Sequence, residues 1–171
     1  MAMDRVEKVL IVGIGSESHG DDAAGIKLIR AIKPGEGVEI LEAGTIPESL
    51  LYAIREAEPD LVILADAVDF GRQPGEIAIL DRGALVHHAS PTTHRAPLDL
   101  LMRYIEEEIG ATALLLGIQP GRMGQDLEMA EEVKSSVMSL AELLSGRSAA
   151  DVALVCRELR PLAAASAIRN G

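Results

Sequence analysis

Two kinds of apolar segment alternate along this chain. Continuous apolar runs are typical of buried strands, and apolar residues at helical spacing are typical of amphipathic helices. The first apolar run, Val9–Ile14, is continuous and rich in β-branched residues and leucine. It predicts a strand that a parallel sheet buries on both faces. In residues 21–32 the apolar positions return with helical spacing, and Pro34 and Gly35 end that pattern. The start of the chain therefore predicts a strand followed by a helix.

The same alternation continues along the chain. Further strands are predicted at 38–41, 61–65, 76–80 and 111–118, and further helices begin at Pro47 and span 97–109 and 127–144. Residues 76–80 alternate between isoleucine and other residues, which favours an edge strand with one buried face. Residues 87–95, rich in His, Ser, Thr and Pro, predict a loop.

Strands and helices that alternate in this way imply right-handed βαβ units. We therefore expect an α/β fold over residues 1–144: an open, mostly parallel, twisted sheet of about five strands with helices on both faces, a three-layer sandwich. From Ser145 onward the pattern weakens. Residues 151–159 predict one more helix, and 161–171 are rich in alanine. Residues 145–171 are expected to form a C-terminal appendage, a helix followed by a frayed tail.

Composition narrows the classes of function. The chain has 171 residues and a formal net charge of -11. It shows no cluster of lysine and arginine, which argues against a nucleic-acid partner. The single cysteine, Cys156, excludes an internal disulfide framework. No apolar run approaches the roughly 18 residues that a membrane span requires. We expect a protein of the cytoplasm with no membrane span.

An acidic pair, Asp21 and Asp22, follows the first strand where a helix is predicted to begin. A helix N-terminus attracts anions through its free N–H groups and its dipole, so two carboxylates there indicate a helix cap or a cation site. They would repel a nucleotide phosphate. Gly13 and Gly15 do not continue into the dinucleotide-binding pattern, although Glu42 lies where such folds place a ribose-binding acid. Nucleotide binding is the weakest interpretation.

Chemistry-bearing residues gather where the parallel strands are predicted to end, the place at which open α/β sheets collect functional groups. They are Asp21 or Asp22, then Asp66 after the third strand, then His94 in the predicted loop. Two carboxylates and an imidazole leave open positions and suit a divalent transition metal such as nickel, zinc or manganese. Other interpretations stay open, because an aspartate can serve only as a cap and a loop histidine is often a surface residue.

The remaining histidines, His19, His87 and His88, are weaker candidates, although His19 is close enough in sequence to the acidic pair to compete as a ligand. The chain contains neither G-x-S-x-G nor H-E-x-x-H. A serine hydrolase or a zinc protease of the usual kind is therefore unsupported.

Five short motifs occur in one order along the chain. They are Val12-Gly13-Ile14-Gly15 with Gly20-Asp21-Asp22-Ala23-Ala24-Gly25; Glu42-Ala43-Gly44-Thr45 with Pro47-Glu48; Ala65-Asp66-Ala67-Val68-Asp69 leading to Gln73-Pro74-Gly75-Glu76-Ile77; Thr92-Thr93-His94 with Pro97-Leu98; and Gly117-Ile118-Gln119-Pro120. With them, residues 9–144 resemble the hydrogenase maturation endopeptidases, which trim the large subunit of nickel-iron hydrogenases. The branch with two consecutive aspartates, serving formate-hydrogenlyase-type or coenzyme-F420-type hydrogenases, is the most similar. One position departs from the family pattern: Ser16 stands where the family usually has asparagine.

The resemblance implies a peptidase domain with a defined role for the acidic residues. The family's metal ligands fall on Asp22, Asp66 and His94, which would engage nickel already inserted in the large-subunit precursor. That nickel would license removal of a short C-terminal extension, so the isolated protein would be empty or hold another divalent ion. Gly44 and Thr45 would lie in a mobile loop near the substrate. Asp22 and Asp66 are the candidate catalytic groups, with their individual roles unassigned.

A second hypothesis uses the same residues without catalysis. A metal-binding or chaperone module would hold an ion through Asp22, Asp66 and His94 and would cut no substrate. A cleavage assay separates the two hypotheses, because only the endopeptidase shortens its partner.

Overall fold

The computed structural model describes residues 5–88 and 95–159 of the chain. The strands are β1 (Val9–Ile14), β2 (Val38–Gly44), β3 (Leu61–Ala67), β4 (Ile77–Leu80) and β5 (Thr112–Ile118). The helices are α1 (Ala24–Ala31), α2 (Leu51–Ala57), α3 (Arg82–His88), α4 (Arg95–Tyr104), α5 (Glu131–Leu144) and α6 (Ala149–Glu158). Short 3-10 turns, Asp21–Ala23 and Pro47–Leu50, lead into α1 and α2, and a π turn at Ile105–Ile109 extends α4.

The five strands form one sheet in the order β2-β1-β3-β5-β4. β1 pairs in parallel with β2 and β3, and β3 pairs in parallel with β5. β4 runs antiparallel to β5 at the end of the sheet. The last residues of β1, β2, β3 and β5 therefore meet at one side of the sheet, here called the carboxyl edge. This architecture confirms the predicted open, mostly parallel α/β sheet.

Alternate residues of the strands face two separate apolar clusters. Val9 and Ile11 of β1 lie in a first cluster with α1, α5 and α6, whereas Leu10 and Val12 lie in a second cluster with α2, α3 and α4. All four side chains are almost completely buried. The continuous apolar runs of the sequence follow from this arrangement, because helices cover both faces of the sheet.

β4 lies at an end of the sheet, as predicted, but the expectation of a single buried face is wrong. Ala78, Ile79 and Leu80 are all buried. Ile79 belongs to the first cluster, whereas Ala78 and Leu80 belong to the second. Alanine is small enough to stand on either face, so its alternation with isoleucine did not mark an exposed side.

Several predicted boundaries differ from the structure. The loop predicted at 87–95 is wrong at its two ends, because His87 and His88 close helix α3 and Arg95 begins helix α4. The predicted helix at 127–144 begins only at Glu131. β3 extends to Ala67 because Asp66 and Ala67 pair with Gly117 and Ile118 of β5. Asp66 is therefore a residue of the strand rather than of the loop that follows it.

Helix α6 lies within the region predicted as an appendage. Its residues Val152, Val155 and Cys156 are buried in the first cluster, beside residues of α1 and α5. The Ser148 side chain accepts a hydrogen bond from the Asp151 N–H at the start of the helix. The predicted tail at 161–171 lies outside the described residues. Over residues 5–88 and 95–159, no helix has the length and apolar character to cross a membrane.

Candidate active site

Asp66 lies at the carboxyl edge as the next-to-last residue of β3, paired in register with Gly117. Its side chain is buried. Burial above all, and then the negative charge of Asp22, raise the pKa of the Asp66 carboxyl to about 8, whereas a hydrogen bond from the Ala67 N–H acts in the opposite direction. With this pKa, the Asp66 carboxyl holds a proton at neutral pH.

Asp22 reaches the same edge from the turn Asp21–Ala23 that follows β1. It is half-buried, and its Oδ2 accepts a hydrogen bond of 2.9 Å from the backbone N–H of Ser16. Gly15 permits this approach, because its φ is 133° and a Cβ built there would lie 1.8 Å from the carbonyl oxygen of Asp22. The donor at position 16 is the backbone, so this contact does not depend on the serine side chain. Asp22 and Asp66 are called the acid pair below.

Asp21 has a different environment from Asp22 although the two are adjacent. Its side chain is fully buried and accepts three backbone hydrogen bonds, from Gly121 (2.8 Å), Arg122 (2.6 Å) and Ala130 (2.7 Å). These bonds attach residues 121–130 to the start of α1. Asp21 is therefore a structural anchor, and only Asp22 of the acidic motif has a carboxylate available for chemistry.

The predicted substrate loop, Gly44 and Thr45, begins where β2 ends. The carbonyl oxygen of Gly44 accepts a hydrogen bond of 2.8 Å from the N–H of Gly15. No described atom lies within 4 Å of a Cβ built on Gly44, and Thr45 and Ile46 are exposed. The loop thus adjoins the segment that holds Asp22 and has open space around it. Its mobility and its contact with substrate stay predictions.

The third predicted metal ligand, His94, lies outside the described residues. Within residues 5–88 and 95–159, no three His, Cys, Asp or Glu side chains are arranged to hold a metal ion. The two carboxylates of the acid pair are oxygen donors of the kind that bind divalent cations. The complete set of Asp22, Asp66 and His94 stays a prediction.

His19, the competing candidate, is exposed beside the acid pair. Its Nδ1 lies 3.0 Å from the hydroxyl oxygens of both Ser16 and Ser18. Ser16 thus uses its backbone N–H for Asp22 and its side chain for His19. His87 and His88 are the last residues of α3.

The chain is similar to the proteins of one known family over most of its length. The family model for the hydrogenase maturation protease HycI matches residues 24–146. The chain belongs to the hydrogenase maturation protease family. It is 34% identical over 139 residues to the hydrogenase 3 maturation protease of Escherichia coli K12, covering 80% of this chain and 88% of that protein. The family assignment makes the chain an endopeptidase.

Solved structures of the protease family show the same fold. The crystal structure of a [NiFe] hydrogenase maturation protease HycI from Thermococcus kodakarensis superposes with a TM-score of 0.71 at 32% identity, covering 91% of this chain and 96% of that one. The solution structure of the endopeptidase HycI from Escherichia coli gives 0.73 at 33% identity, covering 81% and 90%. The resemblance inferred from the five motifs is confirmed.

Sequence reasoning gave no role to Gln119, which supports the site of this protease. Its buried Oε1 accepts hydrogen bonds from the N–H groups of Phe70 (2.9 Å) and Arg72 (3.1 Å), and its Nε2 donates to Asp69 (3.0 Å). Gln119 thus attaches the segment after Asp66 to the end of β5. One signal was available: an amide directly after a long apolar run must find partners when it is buried.

Arg30 is a second residue of the protease that sequence reasoning missed. From α1 it binds both carboxylate oxygens of Glu42, at 2.8 and 2.7 Å, and contacts Glu17 at 2.8 Å. Glu17 belongs to the segment before Asp22, and Glu42 lies near the end of β2. Arg30 therefore connects the two loops beside the acid pair. Glu42, the candidate ribose-binding acid, is engaged in this ion pair.

Proposed function

We propose that this protease removes a C-terminal extension from the large-subunit precursor of a nickel-iron hydrogenase, and that nickel already bound in the precursor licenses the cut. Asp22, Asp66 and His94 engage that nickel, while Gly44 and Thr45 lie along the substrate. Nickel is therefore brought by the substrate. The similarity to the hydrogenase 3 maturation protease supports this class of partner.

The acid pair, buried Asp66 beside half-buried Asp22, carries the proposal. With a pKa of about 8, the Asp66 carboxyl holds a proton at neutral pH beside the charged Asp22. Nickel presented by the precursor displaces this proton, since a carboxylate must be ionised to coordinate a metal. A precursor without nickel leaves the proton in place. The arrangement thus gives a physical reason for the protease to distinguish the two forms of its substrate.

The cut itself needs a base and a polarised carbonyl group. Once ionised, one carboxylate of the acid pair takes a proton from the attacking water and passes it to the nitrogen of the leaving peptide. A cation held by these residues would increase the electrophilic character of the scissile carbonyl group or lower the pKa of the water. The buried position of Asp66 excludes much of the surrounding solvent and strengthens both effects.

The alternative of a metal-binding or chaperone module predicts binding without a cut. Membership of a protease family favours cleavage. The proposed function is tested by incubating the purified protease with nickel-loaded and nickel-free precursor of its partner hydrogenase and measuring the mass of the large subunit. We expect the loaded precursor to lose its C-terminal peptide and the nickel-free precursor to stay intact. Equal cleavage of both forms would contradict nickel gating, and cleavage of neither form would contradict the whole proposal.

A further inference from the structure

Strand β2 is an end strand of the sheet. It pairs with β1 on one side, and none of the described residues forms a strand on its other side. The strand is seven residues long, and it ends at Gly44, beside the segment that holds Asp22. A long unpaired side of this kind can accept an additional strand from another chain.

The hydrogen-bond register shows which groups of β2 are available. The N–H of Val9 donates to the carbonyl of Gly37. Leu10 pairs with Glu39, and Ile11 pairs with Ile40. In a parallel ladder with this register, the backbone N–H and C=O groups of residues 39, 41 and 43 of β2 point toward β1. The N–H and C=O groups of Ile40 and Glu42 therefore point outward, and no described residue bonds to them.

The surroundings of these outward groups suit an extended peptide. Ile40 and Leu41 are half-buried, each packed against a different apolar cluster, so that an added strand would cover apolar surface on both faces. Past the end of β2, Gly44 has open space around its Cα and the Ile46 side chain is 55% exposed. The end of β2 also adjoins the segment that holds Asp22, since the carbonyl oxygen of Gly44 accepts a hydrogen bond from Gly15, next to the Ser16 N–H that binds Asp22.

We propose that an extended segment of the precursor, next to its cleavage site, pairs with the outer side of β2 as a sixth strand. This inference rests on the proposed function and assigns its peptide-binding site. The groups of Ile40 and Glu42 hold the backbone of the segment, and Ile46 contacts an apolar side chain near the cut. The ligand is a stretch of peptide that contains no proline opposite Ile40 and Glu42, since proline cannot donate a hydrogen bond.

A second copy of the chain is a poorer occupant of the same surface. Glu39 and Glu42 are exposed along β2 in ion pairs with Lys8 and Arg30, so the charges on the strand itself are largely offset. The net charge of -11 nevertheless gives long-range repulsion between two copies.

The first test compares two substitutions at one position. Ile40→Pro removes the outward N–H without removing a bond to β1, whereas Ile40→Val keeps it. We expect kcat/KM for the nickel-loaded precursor to be about tenfold lower for Ile40→Pro than for Ile40→Val, mainly through a higher KM. Equal kcat/KM for the three folded proteins would overturn the inference.

The second test needs no substitution and therefore holds even if Ile40→Pro does not fold. Amide hydrogen exchange of the wild-type protease is measured by pulse labelling, with and without an excess of nickel-loaded precursor. We expect exchange at Ile40 and Glu42 to slow about tenfold or more, with little change at Glu39 and Leu41, which already bond to β1. Unchanged exchange at Ile40 and Glu42 while the precursor is cut overturns the inference and leaves the proposed function intact. Protection of the same amides in the free protein, with sedimentation as a dimer, overturns it in favour of a second copy.

Discussion

At the scale of single residues, two adjacent aspartates perform different work. Asp21 is buried against three backbone N–H groups of residues 121–130, whereas Asp22 accepts one hydrogen bond and lies near Asp66. The local pattern indicated a helix cap or a cation site without dividing these roles between the two aspartates, and only the family resemblance favoured Asp22. The pattern could not divide them, because the partners of Asp21 are about a hundred positions away along the chain.

Substitution of each aspartate by asparagine separates the two roles. In Asp21→Asn an amide NH2 replaces an oxygen that accepts backbone N–H groups, so we expect the free energy of unfolding to fall by about 2–4 kcal/mol. Asp22→Asn should change it by less than about 1 kcal/mol and abolish cleavage. Urea denaturation with a parallel cleavage assay measures both. A stable Asp21→Asn protein would contradict the anchoring role.

Asp66 makes stability depend on pH in a defined direction. The pKa of its carboxyl is about 8 in the folded protein, against 3.8 without the fold. The folded state thus favours the protonated form, and this contribution to stability is complete below about pH 4 and declines as pH rises toward 8. Asp66→Asn cannot ionise and loses nothing over this range.

We therefore expect Asp66→Asn to be more stable than the wild type at pH 8, by a few kcal/mol, and much closer to it at pH 4. Thermal and urea denaturation of the two proteins at several pH values provide the measurement. Curves that stay parallel from pH 4 to 8 would show that burial does not shift the pKa of Asp66.

At the scale of elements, the sequence predicts the sheet better than its surroundings. Four of the five strands are parallel, and three of them, β1, β3 and β5, are buried on both faces, so that continuous apolar runs such as Val9–Ile14 mark them directly. β3 extends past Ala65 because it pairs with β5, and Ala78 is buried because it lies in the second cluster with residues of α2, α3 and α4. These features are set by tertiary contacts that local patterns do not record.

The same limit applies to the candidate site. Asp22 and Asp66 were predictable because strand ends in a parallel sheet converge at one edge. For Gln119 the only signal was an amide directly after an apolar run, and for Arg30 there was none, since their roles consist of hydrogen bonds to residues distant along the chain, such as Phe70 and Glu42. His94 and its part in the set lie outside the described residues.

The ion pairs of Arg30 connect α1, β2 and the segment before Asp22, so their removal should affect order more than stability. All three side chains are substantially exposed, and such pairs add little to the free energy of unfolding. We expect Arg30→Gln to leave the melting temperature almost unchanged while speeding amide exchange at residues 15–19. Arg30→Lys keeps the positive charge but loses the guanidinium that binds both oxygens of Glu42. Its exchange rates should lie between those of the wild type and Arg30→Gln. Identical exchange in all three proteins would contradict the connection.

At the scale of the whole molecule, the fold brings one carboxylate from the turn after β1 and one from β3 to the same edge of the sheet, and it buries the second. Family membership and the matching structures identify the chain as a maturation endopeptidase. The acidic character of the whole chain, with a net charge of -11, also favours an approaching cation over an anion. Catalysis and nickel gating are proposed for the acid pair at the carboxyl edge, and peptide binding is proposed for the outer side of the neighbouring strand β2.

The central claim is that the acid pair performs the reaction. Its most direct test measures cleavage of nickel-loaded precursor by four proteins that are shown to be folded to the same extent. These are the wild type, Asp22→Asn, Asp66→Asn and Glu128→Gln, the last an exposed acid in the 121–130 segment. Mass spectrometry of the large subunit over time should show cleavage slowed about a hundredfold or more in both aspartate variants and unchanged in Glu128→Gln. Cleavage at the wild-type rate by either aspartate variant would contradict the account.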